Sequence, residues 1–365
     1  MADPHDEPAP AKRSEDTQTT TSPPKDTVII EEGDTLLVCA DAEELGKLRV
    51  SSIILKHTSP VFKAMLGPHF AEGQVPRSAL HPQELHCPED DWHAMKCLMQ
   101  LLHHSKSWLQ DDLCNSGTLE RLIGLGVVAD KYACIEAIFL QVDTVFAHFR
   151  NSHIAAGPHP DVSSDSAGLR DCFDLATAAV HFGKHSYFYF FTKRLVMDFV
   201  GPYSSVLTTR PGSEDTALSL KLNILLKLEE QRNAIRVRIG EHIPSLAIFS
   251  CHYCGGGYQS KSTVFMPAFE KAIKLETHWP PTFSSLSIRT VLEKLKNVGN
   301  IGWGHVCGHH GSLVRKAREF EDFAAEVYNS MAGMCSRCAK AGSFTTGSCG
   351  VSGHWVPTAH WKDGI

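Results

Sequence analysis

The run from Leu48 to Leu66, LRVSSIILKHTSPVFKAML, changes its hydrophobic period within a few turns and so dictates a mixed unit. Leu48 and Val50 give a short strand, the period-two end of the run. Ser51 or Ser52 can then cap a helix carrying Ile53, Ile54 and Leu55. Ser59-Pro60 restarts helix after a break: the serine side chain can accept from a free N–H, and proline at the first helical position lacks only an N–H with no intrahelical partner. Val61, Phe62, Met65 and Leu66 follow at helical spacing until Gly67-Pro68 ends the run.

On either side the patterns continue. Thr27 to Ile30 and Leu36 to Cys39 are apolar β-type runs separated by Glu31-Glu32-Gly33-Asp34, which predicts a hairpin with Gly-Asp at its turn. Leu85 to Cys87 supplies a further strand. The acidic turn Glu89-Asp90-Asp91 then marks a helix start, where carboxylates meet the positive end of the dipole. Trp92, Met95, Met99 and Leu102 form one stripe of that helix. Thr118 caps another, with Leu119, Leu122, Leu125, Val128 and Ala129 facing inward, and a last helix runs from about Cys134 to Phe149.

Taken in order, these pieces resemble the core of a BTB/POZ domain. The likeness rests on the hairpin, the strand ending Arg49-Val50-Ser51-Ser52, the Ser59-Pro60-Val61-Phe62 helix with Ala64-Met65-Leu66, the acidic turn, and the helix with Val127-Val128-Ala129-Asp130-Lys131-Tyr132. It spans Asp26 to Leu140 and is nearest the fungal branch of the family. The resemblance implies a protein-interaction module that often dimerises and can dock on a cullin, the scaffold of a multisubunit ubiquitin ligase. A hydrophobic-x-Glu signature follows the Ser-Pro helix in members that bind the scaffold, and Phe70-Ala71-Glu72 stands at the matching place here. Phe62, Met65, Phe70 and Glu72 are thus the partner-binding candidates. Ser51 stands where many animal members carry histidine, and Asp41 to Lys47 reads as a lengthened hairpin loop.

The rest of the chain sets bounds. Its 365 residues predict more than one domain, and 42% hydrophobic content is ample for packed cores. A net charge of −6 argues against a general binder of nucleic acid or membrane surfaces. The one basic cluster, Arg232, Arg236 and Arg238, is flanked by Glu229, Glu230 and Glu241. No stretch approaches the roughly 20 apolar residues that span a bilayer, and the N-terminus lacks a signal-peptide core. The expectation is an intracellular protein, cytoplasmic or nuclear, with reduced cysteines. Cys39, Cys97, Cys134 and Cys172 lie in apolar patterns and read as packing.

Residues 1–25 are polar and Pro-rich and read as a disordered tail; 151–168, rich in Pro, Gly, Ser and Asp, read as a linker behind a first domain at 26–150. From 169 to 330 the period is helical. Cys172, Leu175, Ala176 and Ala179 form one stripe, and Phe188, Phe191, Leu195 and Phe199 another. A long amphipathic stretch starts at Leu218, and later helices lie near Val264–Leu275, Leu286–Val298 and Leu313–Tyr328. The expected architecture is an α+β BTB/POZ-like domain, a short sheet flanked by helices, followed by an all-α domain and a Cys/His-containing flexible tail at 331–365. Fungal proteins resembling the first half often carry such a helical region.

Two cysteine groups in this half bear on chemistry. Cys251 and Cys254 form a C-x-x-C turn, and His305 and Cys307 could complete a tetrahedral zinc site that pins two helix ends. The same pair admits plain packing or a redox dithiol, although it follows a helix rather than heading one. Cys335, Cys338, Cys349 and His354 form a second candidate set, against which stands a flexible tail with incidental cysteines. The chain holds no G-x-S-x-G elbow, no phosphate-cradling glycine loop and no H-E-x-x-H. The expectation is therefore a non-catalytic, self-associating or scaffolding protein. One alternative is a substrate adaptor of a cullin ligase, and another is a thiol or zinc-dependent enzyme centred on Cys251 and Cys254.

Overall fold

The computed structural model describes residues 26–41, 44–105, 118–155, 166–207, 217–247, 286–297, 310–331 and 333–341. Four strands form one sheet: β1 (Asp26–Val28), β2 (Thr35–Asp41), β3 (Glu44–Val50) and β4 (Gln83–Asp91), in the order β1-β3-β2-β4. β2 and β3 are antiparallel, β4 runs parallel to β2, and β1 runs parallel to β3. Strand alternation puts Leu37, Cys39, Leu48, Val50, Leu85 and Cys87 on the covered face. Lys47 and Glu84 form an ion pair on the other face at 2.6 Å.

Two sequence expectations change here. The hairpin is β2–β3, not the first two apolar runs, because β2 has both edges occupied, by β3 and β4. The Glu31–Asp34 turn instead carries the chain over the end of β3. There the Ile29 and Ile30 N–H groups both donate to the Arg49 carbonyl, and Arg49 Nε donates to the Gly33 carbonyl at 3.0 Å. A Cβ at Gly33 would stand 2.7 Å from the Val50 carbonyl oxygen, so this crossing requires glycine. The expected loop from Asp41 to Lys47 is largely strand as well, paired through Asp41 and Glu44. Gly46 makes that possible, since a Cβ there would lie 2.2 Å from Trp92 Cδ1.

Short helices α1 (Ser52–Thr58), α2 (Pro60–Met65) and α3 (Ala71–Gln74) follow β3, and α4 (Trp92–Leu102) follows β4. α4 starts on Asp91, whose Oδ1 accepts from the Ala94 N–H at 2.7 Å. Its expected stripe of Trp92, Met95, Met99 and Leu102 is buried. So are Ala94, Cys97, Leu98 and Leu101, because α4 lies between the sheet and α5 (Thr118–Lys131). A 3₁₀ turn at Glu136–Ile138 leads into α6 (Phe139–Ala155).

α7 (Ser166–His181) and α8 (His185–Asp198) pair closely, and both expected stripes hold: Cys172, Leu175, Ala176, Ala179, Phe188, Phe191 and Leu195 are wholly buried. α9 (Leu218–Ala247) runs 30 residues. α10 (Ile288–Lys296) buries Ile288, Val291, Leu292 and Leu295 and packs on α11 (His310–Ser330). The short α12 (Ser336–Ala341) returns to the middle of the molecule, where Lys340 pairs with Asp130 of α5 at 2.9 Å.

The chain is thus an α+β fold, a small sheet with many helices. The expected linker contains the last turn of α6 and the start of α7, while 156–165 lie outside the described residues. Gly126 of α5 lies against His181 and Phe182, and a continuous set of buried side chains runs from Leu37 to Ala339.

Candidate interaction surface

The residues after β3 are held by polar groups from far along the chain. Ser51 is the N-cap of α1 but makes no side-chain cap bond. Asp34 does this work: its Oδ1 accepts from the Ser52 N–H at 2.7 Å and its Oδ2 from the Ser52 hydroxyl at 2.6 Å. Burial pushes the Asp34 carboxyl up, but the hydrogen bonds from Ser52 outweigh it and hold the group below the usual carboxylate range. One residue earlier, the Ser51 N–H donates to His103 Nε2 at 3.0 Å. Since Nε2 accepts there, Nδ1 carries the proton and donates to the Met99 carbonyl at 2.8 Å. Burial keeps His103 below the ordinary histidine range.

α2 is fixed by Ser59. Its Oγ accepts from the Phe62 N–H at 3.0 Å and donates to the Tyr132 carbonyl at 2.6 Å. The Phe62 ring stacks on Tyr132 with centroids 4.2 Å apart. Tyr132 in turn donates to Asp90 Oδ2 at 2.6 Å, and Lys131 holds Oδ1 at 2.7 Å, so both oxygens of this buried carboxylate are occupied. Burial, then this bond to Asp90, pushes the Tyr132 hydroxyl up. Cys39 and Cys87 face each other across β2 and β4 beside this cluster. The Cys39 thiol is pushed up, first by its hydrogen bond with Cys87 and then by burial. Sequence reading missed Asp34, His103 and the Asp90 network, because each partner comes from a distant segment.

This framework sorts the four partner-binding candidates. Phe62 is wholly buried against Tyr132, Met65 is half-buried, and Phe70 and Glu72 are exposed. The outward apolar side chains of the segment are Ile53 (66% exposed), Phe70 (49%), Val75 (42%) and Leu80 (87%). On the helical half, Leu218, Leu222 and Leu226 form an exposed stripe along α9.

The arginines of the basic cluster of α9 are engaged within the chain to different degrees. Arg232 is buried, donates to the Gly201 carbonyl at 2.6 Å and lies 4.1 Å over the Tyr203 ring, while Arg238 pairs with Glu326 of α11. Of the metal candidates, Cys251, Cys254, His305, Cys307, Cys349 and His354 lie outside the described residues. Cys335 is half-buried with its thiol intact, whereas Cys338 is buried and disulfide-bonded. Among the described residues there is no group of three or more His, Cys, Asp or Glu placed to hold a metal ion. No described helix is long and apolar enough to cross a membrane.

Comparison of the chain with protein-family models, with curated proteins and with solved structures finds no match.

Proposed function

We propose that this protein is a non-catalytic interaction protein that self-associates through the BTB/POZ-like unit of its first half. The observation that carries the reading is the exposed apolar set Ile53 on α1, Phe70 and Val75 at the two ends of α3, and Leu80 in the loop before β4, with α1 held by the Ser52–Asp34 bonds. Each such side chain gains about 1.5–3 kcal/mol when fully buried, so an interface covering several would be well supported. The element order supports it too: a hairpin, two short helices divided at Ser59-Pro60, a strand parallel to β2, then a buried helix. The pieces that carried the family resemblance from Arg49 to Tyr132 keep their order along the chain, although the first two apolar runs do not pair as a hairpin.

The test is co-expression of two differently tagged copies. Capture of one tag should recover the other from wild type, and recovery should fall when Ile53→Lys and Phe70→Lys are combined. Absence of co-capture at any expression level contradicts self-association.

A second reading, an adaptor for a cullin ligase, is favoured by the joint exposure of Phe70 and Glu72 around the start of α3. Affinity capture from cells with wild type beside Phe70→Ala/Glu72→Lys separates the two. A cullin recovered with wild type and lost with the variant supports the adaptor; no cullin with either form removes it.

A further inference from the structure

Two cysteines meet across the sheet beside the Asp90 network. Cys39 of β2 and Cys87 of β4 are direct partners in the parallel pairing, and both lie on the covered face, at 0% and 5% exposure. Both are free thiols. The pairing breaks register just after them: Ala40 stands opposite Asp91, so Pro88, Glu89 and Asp90 bulge out of the ladder. Neighbouring strands lie about 4.8 Å apart, inside the roughly 4.4–6.8 Å between Cα atoms that a disulfide bridges. Partners in register also send their Cβ atoms to the same face, so a bond between the two sulfurs needs only side-chain rotation.

A buried thiol can simply pack as a small hydrophobe, and Cys134 is such a case. Its sulfur donates to the Tyr132 carbonyl at 3.5 Å, and burial pushes the thiol up to about 11. Cys87 differs. The Cys39 thiol donates to its sulfur, and this bond outweighs burial and holds Cys87 below the ordinary thiol range, while Cys39 is pushed up. Beside the pair, the opposite charges of Lys131 and Asp90 lie 2.7 Å apart and largely offset each other. The two sulfurs thus have unequal roles: Cys87 supplies the thiolate, and Cys39 keeps its proton.

We infer that Cys39 and Cys87 are a redox modification site, a dithiol that a hydroperoxide converts to a disulfide joining β2 to β4. The Cys87 thiolate attacks one peroxide oxygen: an S–O bond forms, the O–O bond breaks, and the departing alkoxide takes up the proton that Cys87 released. The sulfur is oxidised by two electrons and the peroxide is reduced. The Cys39 thiol then attacks the sulfenic sulfur of Cys87; the S–S bond forms, the S–O bond breaks, and water leaves with the Cys39 proton. In sum, two thiols and one hydroperoxide give a disulfide, an alcohol and water. An added dithiol reverses the change by exchange. The inference stands apart from the self-association reading.

The test is peptide mapping of the full chain, freed of reductant and exposed to tert-butyl hydroperoxide in native buffer and in urea. Non-reducing digestion should yield a linked Cys39–Cys87 peptide from most native chains, at least tenfold more than from unfolded chains, and dithiothreitol should remove it. In Cys39→Ser, where serine keeps a donor but no thiol, Cys87 should instead gain oxygen. If that variant fails to fold, the wild-type maps decide alone. No linked peptide at peroxide doses that oxidise other thiols of the chain, or a yield no greater in native buffer than in urea, overturns the inference.

Discussion

Replacing Asp34 tests whether α1, and with it Ile53, is held by a residue outside its own helix. At neutral pH the carboxylate accepts two bonds from Ser52, at 2.7 and 2.6 Å. Losing an N-cap acceptor costs about 1 kcal/mol. The hydroxyl of Ser52, a residue only 4% exposed, also loses its acceptor, which adds about 1 kcal/mol. Asp34→Ala should therefore lower unfolding free energy by about 2 kcal/mol, and Asp34→Asn, which keeps one acceptor oxygen but no charge, by about 1 kcal/mol. The pH dependence has a defined sign. The folded carboxyl titrates below its ordinary value, so its contribution is complete above that value and is lost as pH falls through the lowered one. The deficit of Asp34→Ala should stay constant above about pH 5 and narrow on acidification below about pH 4. Denaturant unfolding followed by circular dichroism gives the energies, and hydrogen exchange across 51–58 should show faster opening of α1. A cycle with Ser52→Ala should give a coupling of about 1 kcal/mol. A deficit below about 0.5 kcal/mol at pH 7, or additivity within that margin, refutes the role given to Asp34.

Four further outcomes follow from single residues. His103 accepts from the Ser51 N–H only while neutral, and burial holds it below the ordinary range. Its unfolded form thus binds protons first, and stability should fall as pH drops below about 6.5, less steeply in His103→Gln, as read by urea titrations at pH 7.5 and 5.5. Gly46→Ala should destabilise by about 1–3 kcal/mol through the contact with Trp92; an unchanged denaturation midpoint would contradict the β2–β3 register. Ala133 closes α5 with φ of 51°, so Ala133→Gly relieves about 1–2 kcal/mol of backbone strain against about 0.4–1 kcal/mol of added unfolded-chain freedom. A rise of about 0.5–1 kcal/mol is expected, and a loss of stability would count against that backbone geometry. Phe62→Ala should cost about 3–5 kcal/mol, since it empties a buried site and unstacks Tyr132; a small effect would place Phe62 at the surface instead.

The parts of the fold legible in the sequence are those where local signals and packing agree. Ser59-Pro60 starts α2 as read, and the Cys172–Ala179 and Phe188–Phe199 stripes are core because helical period alone places them on one face. The first hairpin failed for a reason sequence could not show: two adjacent β-type runs pair only if neither has a better partner. Here β3 and β4 take both edges of β2. Asp34 and His103 were invisible as caps because they lie 18 and 52 residues from the serines they bind. Asp90 was read with Asp91 as part of a helix start, yet only Asp91 caps α4, while Asp90 turns inward to Tyr132 and Lys131. Of the partner-binding candidates, Phe70 and Glu72 sit outward, whereas nothing in the local pattern separated them from buried Phe62. Lys193, Arg289 and Lys296 each meet the Tyr328 ring only through the packing of α8, α10 and α11, so no local pattern shows those contacts.

The most direct test of self-association is sedimentation velocity of the full chain over a concentration series, with wild type and Ile53→Lys/Phe70→Lys side by side. Self-association through this surface gives a wild-type species of twice the 40.2 kDa chain mass or more, shifted toward one chain mass by the two lysines. A wild-type protein that sediments at a single chain mass up to tens of micromolar, a range that self-association worth about 8 kcal/mol would overcome, contradicts it.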